Sequence, residues 1–227
     1  MNKIGKFYGI GVGPGDPELI TLKAVKTLSR MDMIIAPAGK KESLALKIAE
    51  PYVKCPVMEI DFPMIDDTDA LNRAWDKNVK TIEKILTQGW DTAFITLGDP
   101  MIYSTYTYIL SRLEGYEIET IPGITSFCAA AAKINKPIAE GDASFAVIPV
   151  KNRVSVERAL KDFNSVVLMK VSGSYDDVVS ALKENGFHGT LITRCGQEGE
   201  KVEFDLDKYL GAKIDYLSLI IGRRDIP

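Results

Sequence analysis

The chain has a single histidine, His188, and three cysteines, Cys55, Cys128 and Cys195, among its 227 residues. An odd number of distant cysteines with no C-x-x-C arrangement gives neither a disulfide framework nor a zinc site, and no metal site is expected. One histidine excludes a histidine-based triad unless His188 supplies it, and its setting, Asn185-Gly186-Phe187-His188-Gly189, reads as a turn. Basic excess is also missing: the net charge is −3 with no block of like charge, which argues against nucleic acid or an anionic membrane as partner. No apolar run approaches the ~18 residues of a membrane helix. Met1–Lys6 lacks the apolar core of a secretory leader, so a cytoplasmic, reducing location is expected. Fixed-period repeats and low-complexity linkers are absent too.

What is present is an ordinary globular composition, 46% hydrophobic and 26% charged, long enough for one large domain or two small ones. The organising stretch is residues 7–24. An apolar strand, Phe7 to Val12, enters a loop with glycines at 11, 13 and 15. A helix is expected to open there with Asp16 as N-cap and Pro17 in the first turn. A dinucleotide fingerprint would need glycine where Asp16 stands, and Pro14 and Pro17 each lack an N–H for phosphate. Asp16 and Glu18 add negative charge. The loop suits a neutral or cationic ligand.

Further on, Leu19, Leu22, Ala24, Val25 and Leu28 form a helical stripe, and Met33–Ala36 reads as a strand. A helix capped by Ser43 ends before Pro51, Val57–Ile60 is a third strand, and residues 62–69 are an irregular loop. A helix from Leu71 to Gln88 stops at Gly89. The strand Thr92–Thr96 then feeds Leu97-Gly98-Asp99-Pro100, which repeats the opening pattern, Gly-Asp-Pro after a buried strand with a helix beginning at the proline. In a parallel sheet both loops share one carboxyl edge. Tyr103–Leu113 is the next helix, and Tyr116–Ile121 is a strand ending in Pro122-Gly123-Ile124-Thr125-Ser126. From about Pro137, strands are expected at 145–149, 166–169, 190–193, 202–204 and 216–221, with helices at 155–162 and 176–185. The boundary is placed within 122–140, giving two α/β domains, 1–124 and 125–227, with a ligand cleft expected between them.

The run Ile10–Gly15 through Leu19–Ala24, followed by Leu97–Pro100 and Pro122–Ser126, resembles the tetrapyrrole methylase family of S-adenosylmethionine-dependent methyltransferases over nearly the whole chain. Ser43–Leu46, Phe62-Pro63-Met64, Trp75 and Gly98–Tyr106 are similar to the branch that methylates carbon 20 of precorrin-2 or its cobalt complex in cobalamin biosynthesis. The resemblance implies two αβα domains, a homodimer, and S-adenosylmethionine held largely by backbone groups in the cleft. On motif position the cofactor contacts are Pro14, Leu97, Gly98, Asp99, Ile102, Tyr103, Thr125 and Ser126. Near Met169 and Gly196 the next contacts fall, where the family's aromatic-methionine-glycine run is replaced by Leu168-Met169-Lys170.

A sulfonium cofactor without phosphate agrees with the acidic loops, and methyl transfer rests mainly on positioning. Asp99, Tyr103 or water would accept the proton lost afterwards. A polycarboxylate tetrapyrrole substrate calls for basic groups, for which Lys151, Arg153, Lys170 and Arg194 are the candidates, ahead of Arg223 and Arg224. The competing readings are the same fold acting on a ribose of ribosomal RNA or a modified histidine, a nucleotide-dependent oxidoreductase, and a non-catalytic binding protein.

Overall fold

The computed structural model describes residues 3–38, 43–63, 65 and 67–224. The chain divides into two compact units, Met1–Thr125 and Ser126–Pro227. The first contains β1 (Phe7–Gly11), α1 (Leu22–Leu28), β2 (Met33–Ala38), α2 (Leu44–Ala49), β3 (Val57–Asp61), α3 (Thr68–Leu86), β4 (Thr92–Thr96), α4 (Tyr106–Leu110) and β5 (Ile118–Ile121). Its five strands are all parallel, in the order β3-β2-β4-β1-β5.

Strands buried on both faces read as continuous apolar runs, and Phe7–Gly11 and Thr92–Thr96 are buried throughout. One face carries α1 and α2 over Ile10, Ile34 and Ile95. The other carries α3 and α4 over Phe7, Ile35 and Phe94. Along α3, Val79, Ile82, Ile85 and Leu86 form the buried stripe, and the Asp67 carboxylate caps its start by accepting from the Asp69 and Ala70 amides, each at 2.9 Å. Trp75 of α3 stacks on Tyr108 of α4 at 4.1 Å between ring centroids, with the Arg112 guanidinium over the indole.

The second unit contains α5 (Ser126–Lys133), β6 (Phe145–Pro149), α6 (Arg153–Asp162), β7 (Ser165–Met169), α7 (Tyr175–Glu184), β8 (His188–Thr193), β9 (Lys201–Glu203) and β10 (Ser218–Arg223). Its sheet is mixed, ordered β6-β7-β10-β8-β9, with β6 parallel to β7 and β10 antiparallel to both of its neighbours. Helices α6 and α7 cover one face through Val156, Leu160, Val178 and Leu182. Helix α5 covers the other through Phe127, Ala130 and Ala131 against Val167, Ile192 and Ile221. Both units are thus αβα layers, as expected.

Several local expectations are corrected. Asp16 caps only a 3-10 turn, Pro17–Leu19, by accepting from the Glu18 amide; α1 starts at Leu22 behind a second cap, Thr21, whose hydroxyl accepts from Ala24. Within the proposed stripe, Leu22 is exposed, because the later start turns it outward while Ala24 and Leu28 stay buried. No helix begins at Pro100, and the one expected at Tyr103 is confined to Tyr106–Leu110. Helix α3 begins three residues earlier than the apolar pattern shows, because Asp67 caps it. His188 opens β8 instead of sitting in the turn, which ends at Gly186 and Phe187. Of the loop at 62–69, Met64 and Asp66 lie outside the described residues, and Phe62 packs edge-on against Phe94.

Candidate functional site

Three loops meet at the carboxyl edge of the first sheet because β1 lies between β4 and β5, all parallel. The loops after β1 and β4 are tied by reciprocal bonds: the Gly98 amide donates to the Gly13 carbonyl at 2.7 Å, and the Gly13 amide to the Gly98 carbonyl at 3.3 Å. Those after β4 and β5 are tied by Asp99, whose carboxylate accepts from Met101 N at 2.8 Å and from Gly123 N at 3.0 Å. Backbones approach so closely here that a Cβ on Gly123 would lie 2.1 Å from the Gly98 carbonyl oxygen, and one on Gly11 would lie 2.5 Å from it.

Gly98 itself has φ +72°, and a Cβ there would meet nothing nearer than the Ile124 carbonyl at 4.0 Å. The close packing is therefore beneath the loops, and space lies above Gly98. Past the turn, the buried Ser104 hydroxyl bonds Thr96 Oγ1 at 2.9 Å and accepts from Tyr106 N, pinning the loop's far end. Between these two anchors Met101, Ile102 and Tyr103 are exposed, and Tyr103 has φ +50°, an uncommon conformation for a bulky residue. Partial burial raises the Tyr103 phenol above its ordinary pKa, so it stays protonated at neutral pH. Of the expected cofactor residues, Pro14, Leu97, Gly98, Asp99, Ile102, Tyr103 and Thr125 all lie in these three strand-end loops.

The same geometry tests the phosphate reading. The N–H groups of Val12, Gly13 and Gly98, which a pyrophosphate would need, are spent on Thr96, Gly98 and Gly13 carbonyls. No lysine or arginine occurs in 11–16, 97–103 or 122–125. Backbone edges, two hydroxyls and apolar side chains fit an uncharged adenosine and a thioether or sulfonium better than a dinucleotide.

In the second unit, the pairings Pro149–Met169, Met169–Leu219 and Ser218–Thr193 put the ends of β6, β7 and β8 on one edge. Lys151, Arg153, Lys170, Arg194 and Gly196 follow those ends, and Met169 closes β7. Lys170 and Arg194 come directly after their strands with φ +60° and +53°. The Arg194 guanidinium donates to Asp215 at 2.8 Å beside a pocket of about 450 Å³ that Lys201, Lys213 and Tyr209 also line. Arg153 is engaged by both Glu157 and Glu184. Arg223, Arg224 and His188 fall at the opposite edge; Arg223 bonds the Pro137 carbonyl and Glu140, and Arg224 bonds Asn164. No cluster of three metal-ligating side chains occurs among the described residues, and no helix among them is long and apolar enough to cross a membrane. Burial, then the nearby Glu200 carboxylate, push the Cys195 thiol up.

Glu200 was not singled out from the sequence. Its carboxylate accepts from the Gly196 amide at 2.6 Å and from Lys133 of α5 at 2.5 Å, so it braces the Gly196 turn. An acid four residues beyond a loop glycine was the only signal. The Gly196 N–H, then Lys133, hold the Glu200 carboxyl below its usual range. A depressed folded-state pKa contributes stability above the unfolded value of ~4.3 and loses it as pH falls through the folded value. Glu200→Gln is therefore expected to cost about 1 kcal/mol at neutral pH, with the gap from wild type closing on acidification. Denaturation midpoints from pH 7 downward check this; a gap constant with pH contradicts it.

Two αβα units, the first with three glycine-bearing loops meeting at the carboxyl edge of its parallel sheet, define an α/β protein of the class that binds small molecules at strand ends. The chain belongs to the tetrapyrrole (corrin/porphyrin) methylases, whose family pattern it matches over residues 6–208. It is 35% identical to a Methanocaldococcus jannaschii protein named "probable cobalt-precorrin-2 C(20)-methyltransferase", covering 99% of each chain. With a Salmonella typhimurium cobalt-precorrin-2 C(20)-methyltransferase it shares 37% identity, over 80% of this chain and 79% of the relative. The fold matches a crystal structure of a cobalt precorrin-4 methyltransferase at a TM-score of 0.78 and 22% identity, covering 96% of this chain and 94% of that one. It also matches a Thermus thermophilus uroporphyrin-III C-methyltransferase complexed with S-adenosylhomocysteine, at 0.70 and 18%, covering 96% and 97%.

Proposed function

We propose that this protein transfers a methyl group from S-adenosylmethionine to carbon 20 of cobalt-precorrin-2, or of metal-free precorrin-2, in cobalamin biosynthesis. The observation that carries this reading is end-to-end similarity to a relative named for that reaction. The three-loop site, with the Val12, Gly13 and Gly98 N–H groups engaged within the protein and open space above Gly98, supports the cofactor class. When bound, the cofactor supplies a methyl whose bond to sulfur breaks as the electron-rich carbon 20 bonds to it, and carbon 20 then loses its proton.

Pro14, Leu97, Gly98, Asp99, Ile102, Tyr103 and Thr125 hold the cofactor in this reading, chiefly through backbone, with Ser126, Met169 and Gly196 carrying the second unit's share. The family pattern has glycine after the methionine, and Lys170 has the positive φ that glycine favours, which supports Met169 as the residue in register. In this reading Lys151 and Lys170 serve substrate carboxylates; Arg194 would first have to leave Asp215, and Arg153 would have to leave Glu157 and Glu184. His188, the one histidine of the chain, lies at the edge of its sheet away from Lys170 and Arg194, and in this reading cobalt's axial position is left to water or empty and the ring is discriminated by shape. The three cysteines, none of them in a disulfide, suit a reducing cytoplasm. A homodimer is expected from the family, and sedimentation of a 25 kDa particle at micromolar concentration would count against it.

Initial rates with cobalt-loaded and metal-free rings at matched cofactor concentration test the substrate. The cobalt form is expected to react faster. Faster methylation of the metal-free ring overturns the cobalt assignment and leaves methyl transfer standing.

A further inference from the structure

We infer that the Asp99 side chain is a positioning residue that staples two cofactor loops together, and is neither a cofactor ligand nor the acceptor of the proton lost from carbon 20. The inference rests on the cofactor reading of the three-loop site. Both carboxylate oxygens are committed within the protein, Oδ1 to the Met101 amide at 2.8 Å and Oδ2 to the Gly123 amide at 3.0 Å. One bond is local and closes the Asp99–Met101 turn. The other spans 24 residues to the loop after β5.

The second bond has a steric reason to exist. Gly123 must lie so close to Gly98 that a Cβ would sit 2.1 Å from the Gly98 oxygen. Nothing else that anchors the Gly123 amide is found among the described residues. The reciprocal Gly13–Gly98 bonds fix the first pair of loops, and Asp99 extends that fixation to the third, which carries Thr125. A carboxylate accepting two backbone N–H groups is a strong, directional tie, because charged acceptors bond about twice as strongly as neutral ones. The two bonds take one acceptor site on each oxygen and fix the plane of the carboxylate toward the two loops, and the pH profile of kcat tests whether it also takes up a proton. The backbone of the loop is left to face the ligand, at a spacing the staple sets.

The test compares Asp99→Asn and Asp99→Ala with wild type. Calorimetric Kd for S-adenosylmethionine is expected to rise about 10-fold or more, since the amide can no longer accept from both N–H groups and the loops separate. With saturating cofactor, kcat is expected to fall by a smaller factor than kcat/KM for the cofactor, and the pH profile of kcat to keep its shape. Amide exchange at Gly123, read in ligand-free protein, is expected to speed up about 10-fold. Unchanged Kd and unchanged exchange in a folded variant overturn the staple. So does a kcat loss of ~100-fold or more at unchanged Kd with the acidic limb of the profile abolished, the signature of a proton acceptor. If Asp99→Ala does not fold, Asp99→Asn carries the comparison. Failure of wild type to bind the cofactor at all would remove the cofactor reading, and Gly123 exchange would still decide the staple.

Discussion

Gly123→Ala is expected to lower the unfolding free energy by roughly 3 kcal/mol and to abolish measurable cofactor binding. The added methyl would lie 2.1 Å from the Gly98 carbonyl oxygen and 2.9 Å from the Gly11 backbone. All of these atoms are main chain, so no side chain can swing aside, and relief requires the loop after β5 to move off the loops after β1 and β4. That movement breaks the 3.0 Å bond from Gly123 to Asp99. Denaturant titration and calorimetry check both halves of the expectation. A wild-type midpoint together with wild-type affinity would mean that the three backbones do not pack as described.

Gly98→Leu separates ligand space from protein packing. Its φ of +72° makes any L-residue strained there by about 1–2 kcal/mol. A Cβ at this position is clear of the neighbouring loops, the Ile124 carbonyl at 4.0 Å being the nearest atom beyond its chain neighbours. The leucine therefore projects into the space assigned to the cofactor, and affinity is expected to fall about 100-fold or more while the protein remains folded. Gly98→Ala, with the same strain and little bulk, is expected to lose much less. Equal affinity for the leucine variant and wild type would remove this loop from the site.

Much of this was legible in the chain. The buried strands Phe7–Gly11 and Thr92–Thr96 are written as apolar runs closed by glycine and proline, and parallel pairing brings their loops together as read. Ser43 and the helix after it stand where capping chemistry placed them. Less visible were features set by tertiary contact. Asp16-Pro17 and Asp99-Pro100 look alike in sequence, yet one caps a 3-10 turn and the other reaches across to Gly123 at the end of a neighbouring strand, a contact that sequence spacing does not encode. Helix α4 is shorter than its pattern because Ser104 is drawn inward to Thr96. Lys170 and Arg194 read as ordinary cations; their left-handed backbones follow from how β7 and β8 end. Arg153 was indistinguishable from them until its two glutamate partners were placed.

Methyl transfer itself is tested most directly by incubating the protein anaerobically with cobalt-precorrin-2 and S-adenosylmethionine carrying a carbon-13 methyl, then recording the carbon-13 spectrum and mass of the product. The prediction is a product heavier by one labelled methyl, with the label on carbon 20 and S-adenosylhomocysteine formed in equal amount. A label on any other ring position, or S-adenosylhomocysteine formed without ring methylation, would contradict the account.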